Sequence, residues 1–172
     1  MTVIRVEKDF ENLRLTLLAD FEAPMERVWE LWADPRQLER WWGPPTHPST
    51  VEKHDLTVGG EVTYFMTDQD GDKSRGRWQV KSVSPPKSLE FTDGFTDHDG
   101  VPSPGTPTTD VQVRLTERDG GTRMELRFLF ESSEHWELLQ RWDAFGVFPQ
   151  SVSQMDVLLA EGAEASQRSQ GG

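Results

Sequence analysis

The 172-residue sequence contains no cysteine. Its fold cannot rest on disulfides, and thiol catalysis and thiolate metal sites are excluded with them. Long apolar runs are also missing, and no stretch approaches the ~20 residues that a membrane-spanning helix needs. The first residues, "MTVIRVEKDF", place charges where a secretory signal would run apolar, so a cytoplasmic location is the expectation. Positive charge is scarce. Eighteen Lys and Arg stand against thirty Asp and Glu, a net charge of −12. The acids are spread along the whole chain, which argues against a nucleic-acid partner, since phosphate backbones are held by clustered cations. Histidine is sparse and scattered, at His47, His54, His98 and His135. No pair has ligand spacing, so no metal site is expected. His98 sits between Asp97 and Asp99 and reads as a solvated turn; His54 shares a strand face with Glu52 and reads as an exposed cross-strand ion pair.

What the sequence has in quantity is large aromatic rings, seven Trp and nine Phe. Their spacing follows the secondary-structure periods. "ENLRLTLLADF" alternates, with Leu13, Leu15, Leu17, Ala19 and Phe21 on one side, as a half-buried strand does. Ala23-Pro24 ends it, and Met25, Val28, Trp29 and Trp32 then recur at helical spacing. Asp34-Pro35 marks a second helix start, carrying Leu38, Trp41 and Trp42 before Gly43-Pro44 stops it. From there to about residue 131 the pattern is strand and turn, with Trp78 and Val80 on one face of "RWQVKSVS" and Val111, Val113 and Leu115 on one face of "DVQVRLTE". "RMELRFLF" answers with Met124, Leu126, Phe128 and Phe130. Residues 96–109 lack any period and read as a surface loop, either a plain solvated one or a lid. Helical spacing returns in "EHWELLQRW" and in Phe148, Val152, Met155 and Leu159, with Pro149 near the start of that last helix. The tail from Gly162 has no large apolar residue and is expected to be disordered.

The familiar chemical motifs fail on inspection. Asp68-Gln69-Asp70-Gly71-Asp72 resembles a calcium loop, but its glycine is misplaced and a strand follows where a helix is needed. Gly59-Gly60 and Gly120-Gly121 are turns, since neither opens a helix that could hold phosphate. No serine occupies a nucleophile elbow, and no pair of carboxylates is spaced for acid–base work on the apolar strand faces. No cofactor is expected.

The run "DFEAPMERVWELWADPRQLERWWGPP" resembles bacterial proteins similar to the C-terminal domain of the heat-shock-protein ATPase activator. "DLTVGGEVTYFM", "VSPPKSLEFT" and "VQVRLTERDGGTRMEL" extend the resemblance over about Leu13 to Glu161. These proteins belong to the START-like, birch-pollen-allergen-like (SRPBCC) superfamily. The resemblance implies an α+β helix-grip fold: a curved antiparallel sheet of about six to seven strands around a long C-terminal helix, with two short helices after the first strand. It divides the chain into an N-terminal extension (1–11), the helix-grip domain (12–161) and a tail (162–172). Eukaryotic activators add a separate chaperone-binding domain for which this sequence has no room, so the resemblance does not imply chaperone activation.

Such a fold implies a cavity between sheet and helix. Trp41 and Trp42 would stand near its mouth, with Tyr64, Trp78, Phe91, Phe95 and Phe128 lining it from the strands and Met155 and Leu159 from the helix. The leading expectation is a binder of a small apolar or amphipathic molecule. A second is a cyclase- or dehydratase-like enzyme, which requires inward polar groups with perturbed ionisation near Tyr64 or Asp93. A third is an interaction module, chaperone-linked or homodimeric, which would expose Trp136, Leu139 and Trp142.

Overall fold

The computed structural model describes residues 3–99, 101, 103, 105–141 and 144–161, with the last helix bounded at Gln170. The chain begins with a hairpin, β1 (Val3–Asp9) and β2 (Arg14–Phe21). In β2 the side chains of Leu15, Leu17, Ala19 and Phe21 are buried and those between them only half-buried, so alternation defines a dry face. Helices α1 (Met25–Ala33) and α2 (Pro35–Leu38) follow. Six further strands run in succession: β3 (Ser49–His54), β4 (Glu61–Thr67), β5 (Lys73–Ser84), β6 (Ser88–Thr96), β7 (Thr109–Arg118) and β8 (Gly121–Phe130). Helices α3 (Ser133–Arg141) and α4 (Ala144–Gln170) close the chain.

The sheet is antiparallel, in the order β1-β2-β8-β7-β6-β5-β4-β3. Every strand from β3 to β8 pairs with its sequence neighbour, and β8 returns beside β2, with Leu15 opposite Phe128 and Leu17 opposite Leu126. The α1–α2 corner is the one long crossing, carrying the chain from β2 to the far edge at β3. The sheet has eight strands and not six or seven, because residues 3–9 pair with β2 from Val3–Asp20 to Asp9–Arg14. The expected N-terminal extension is thus an edge strand, and Ile4 and Val6 pack against the core.

Two helix boundaries also differ from expectation. Asp34 caps α2, its carboxylate accepting the Arg36 N–H at 2.9 Å, but the helix ends at Leu38 and Trp41 and Trp42 lie on the turn beyond it. Gly43 has φ 115°, and a Cβ there would lie 2.7 Å from the His47 carbonyl oxygen, so the corner needs glycine. Pro149 falls in the second turn of α4, because that helix already begins at Ala144; its missing N–H removes one bond from the ladder. The backbone of residues 162–170, expected to be disordered, continues α4 to Gln170, and residues 171–172 lie outside the described residues. Among the described residues no helix is long and apolar enough to cross a membrane.

Candidate functional site

The interior between sheet and helices is divided. Under the α1–α2 corner it is solid. Trp32 meets Trp41 edge-on at 4.6 Å, Trp42 meets Trp78 at 4.8 Å, and Trp78 stacks on Phe91 at 3.9 Å and 14°. Trp78 and Phe91 have no exposed surface. The lower half of α4 packs against α1 in the same way: Met155 is fully buried, Leu159 nearly so, and the Leu158 carbonyl accepts the Arg27 guanidinium at 3.0 Å. These four, Trp78, Phe91, Met155 and Leu159, therefore form the packed wall and do not face open space.

Beyond that wall lies a cavity of about 250 Å³. Trp41, Trp42, Tyr64, Phe95 and Phe128 front it, as do Val147, Phe148, Ser151 and Val152 from the first turns of α4. Phe128 and Phe148 stack on each other in its wall, at 4.5 Å and 3°. Trp41 anchors its own ring by donating its indole N–H to the Leu31 carbonyl at 2.9 Å. Gln154 ties α4 to the corner, donating to the Gly43 carbonyl at 2.7 Å and towards that of Trp41 at 3.4 Å. From the 96–109 loop, Pro107 reaches the cavity rim; residues 100, 102 and 104 are outside the described residues.

One polar pair stands in this aromatic enclosure. Tyr64, the only tyrosine of the chain, donates its hydroxyl to Asp93 Oδ1 at 2.8 Å. The bond spans two strand spacings, from β4 across β5 to β6, and a residue in between makes it feasible. Gly76 lies opposite Tyr64 on β5, and a Cβ there would collide with Tyr64 Cζ and Oη. The ring lies flat over the glycine and reaches β6. The Trp42 indole N–H turns towards the Tyr64 hydroxyl without closing a hydrogen bond.

Burial raises the Asp93 pKa from its ordinary 3.8 to about 7, with the Tyr64 hydroxyl only partly offsetting it. Asp93 keeps some accessible surface because it fronts the cavity, while protein encloses it on the other sides. Tyr64 is pushed well above its usual value, first by burial and then by the neighbouring carboxylate. His135 of α3 also faces the cavity; burial holds its pKa below the ordinary imidazole range, and its ring meets Phe130 edge-on.

Sequence reasoning placed Tyr64 and pointed to Asp93 but missed Gly76 and His135. The signal for Asp93 is its parity: Leu89, Phe91 and Asp93 take alternate places on β6, so a carboxylate occupies an inward position. The other three histidines do not line this cavity. His54 donates Nε2–H to the Trp32 carbonyl at 3.0 Å and does not pair with Glu52, which holds Arg75 at 2.6 Å. His98 lies exposed beside Asp99. At the β4–β5 turn, Asp68, Asp70 and Asp72 come within 4.8 Å of one another, and Asp68 Oδ1 accepts the backbone N–H of Asp70 and of Asp72. Trp136 and Leu139 are buried, and Trp142 lies outside the described residues.

A profile of the family "Activator of Hsp90 ATPase homolog 1-like protein" matches residues 22–163. The chain belongs to this family. Among solved structures, protein Ms6760 from Mycobacterium smegmatis is 42% identical over 91% of this chain and 97% of its own, with a TM-score of 0.83. A protein from Arthrobacter aurescens is 43% identical over 91% of each chain, with a TM-score of 0.87. A protein from Rhodobacter sphaeroides, 21% identical over 92% of this chain and 99% of its own, shares the fold at a TM-score of 0.79. The curated proteins include no match to this chain. The helix-grip architecture of this Hsp90-activator-like domain is thus a property of the family, with a curved, unclosed sheet of eight strands and a C-terminal helix.

Proposed function

We propose that this protein binds a small, largely apolar molecule carrying one polar group, in the cavity between the sheet and α4. The observation that carries the reading is the Tyr64–Asp93 pair set in an aromatic enclosure of about 250 Å³. A structural core would fill such a space with hydrocarbon, and a carboxylate placed there raises the cost of folding unless something repays it. Apolar walls with a few convergent polar groups are the usual make-up of a ligand site. Burying about 300 Å² of ligand surface would contribute several kcal/mol before the entropy of association is subtracted.

The test is to fill the space. Naphthalene-based probes titrated into the wild-type protein should bind, with shifts confined to the Trp42 indole N–H and the first turns of α4 in NMR spectra. Val152→Trp should abolish binding while circular dichroism remains native. Probes that fail to bind the wild type, or that bind Val152→Trp equally well, overturn the reading. A second reading, proton-transfer catalysis in the same cavity, is favoured by one observation: Asp93 at about 7 lies where a general acid–base is most effective.

A further inference from the structure

Resting on the cavity reading, we infer that the preferred ligand is a cation, a small aromatic or alicyclic amine seated with its ammonium against the Asp93 carboxylate and its hydrocarbon among the rings. Among the described residues lining the cavity, Asp93 is the one acid. Two basic residues share the lining, and neither neutralises it. Arg75 is committed elsewhere: it is bonded to Glu52 at 2.6 Å and lies over the Phe65 ring at 5.1 Å. Its register opposite Phe65 sets both on the wet face of the sheet. Burial holds the His135 pKa below the ordinary imidazole range, which favours its neutral form. No Arg or Lys among the described residues pulls the Asp93 ionisation back down, and its one opposing influence is the Tyr64 hydroxyl.

A carboxylate so placed is an unpaid charge, and an ammonium supplies what the fold withholds: a charge-assisted hydrogen bond to an already desolvated acceptor. The walls suit the same guest. Trp42, Tyr64 and Phe95 surround the carboxylate's end of the cavity, and ring faces attract cations. An anionic ligand meets repulsion here, and a neutral alcohol gains a hydrogen bond without neutralising the charge. The net charge of −12 also raises the local concentration of cations around the protein.

The titratable side chains that bear on pH dependence are Tyr64 from β4, Asp93 from β6 and His135 from α3, with the Arg75 side chain on the opposite face of β5; among the described residues β7, β8 and α4 present none to the cavity. Tyr64, pushed further above the ordinary phenol value by burial, does not change charge between pH 6 and 8. Protonating His135 would repel an ammonium, in the same direction as neutralising Asp93, so the variant Asp93→Asn separates the two.

The experiment compares 1-naphthylmethylamine, 1-naphthalenemethanol and 1-naphthoate by calorimetric titration at pH 6 and pH 8. At pH 8 the amine should bind about tenfold tighter than the alcohol, and the naphthoate weakest. For a carboxyl at about 7, the ionised fraction falls about tenfold between pH 8 and pH 6, so the amine's affinity should fall by that factor while the alcohol's holds. Asp93→Asn should lose both the amine preference over the alcohol and most of the pH dependence. Tyr64→Phe, which removes the donor that favours ionisation, should move the amine's titration to higher pH. If Asp93→Asn does not fold, the wild-type contrast between amine and alcohol still decides. Equal affinities, or an amine that binds tighter as pH falls, overturn the cation inference and leave the cavity reading standing. Failure of all three probes overturns the cavity reading itself.

Discussion

Replacing Asp93 by asparagine should stabilise the protein more at pH 8 than at pH 5, and the size of the difference follows from one buried group. Burial raises the carboxyl from 3.8 to about 7 on folding. A group with a higher pKa in the folded state holds its proton more tightly there, so its favourable contribution is complete below the unfolded value and is lost as pH rises through the folded one. Integrating between pH 5 and pH 8 gives a wild-type loss of roughly 2–3 kcal/mol from this group, an upper figure because part of the carboxyl fronts the cavity. Asparagine keeps an acceptor for the Tyr64 hydroxyl and carries no charge to desolvate. Asp20, Asp34 and Glu161, whose pKa values are lowered by hydrogen bonds from Arg123, Gln37 and Arg40, are common to both proteins and cancel in the difference. Urea unfolding of both proteins, followed by tryptophan emission at half-unit steps of pH, measures it. A stability gap that stays flat, or narrows as pH rises, refutes the claim that Asp93 sits desolvated and unpaired.

Gly76→Ala places a methyl group where the Tyr64 ring lies; it should cost about 1–3 kcal/mol as overpacking in thermal unfolding and weaken the Tyr64–Asp93 bond. Trp78→Ala removes a fully buried ring stacked on Phe91 at 3.9 Å, and chemical denaturation should register a loss of about 3–5 kcal/mol. Asp20→Asn breaks a two-pronged pair with Arg123 (2.7 and 2.9 Å) that is partly solvent-exposed. Its loss should stay under about 1 kcal/mol and shrink further in 1 M salt. The Asp20 pKa is lowered by Arg123, so this small contribution exists above the ordinary carboxylate range and disappears as pH falls through the lowered value.

The sheet was legible wherever one face is dry and the other wet. Leu15 to Phe21, Val111 to Leu115 and Met124 to Phe130 alternate in sequence and are buried in the same alternation. β1 was not legible, because an edge strand with a single neighbour needs few apolar residues, and Ile4 and Val6 alone mark its inner side. The cavity was read only to the level of a face. Tyr64, Trp78 and Phe91 share the inward parity, but parity says nothing about depth, and the two deeper rings are consumed in packing against Trp32 and Trp42. The polar pair depends on register across three strands, with Gly76 opposite Tyr64 and Asp93 one strand further on. No local spacing encodes that coincidence.

Because Gln154 fastens α4 to the backbone on either side of Trp42, any shift of that helix which admits a guest must also carry the neighbouring indole. Trp42 lies 6.1 Å from Tyr64 and 4.8 Å from Trp78, so a displacement of this indole changes the surroundings of several rings at once. If a guest enters as proposed, the change in the unlabelled protein's emission that disappears in Trp42→Phe is the part this indole supplies.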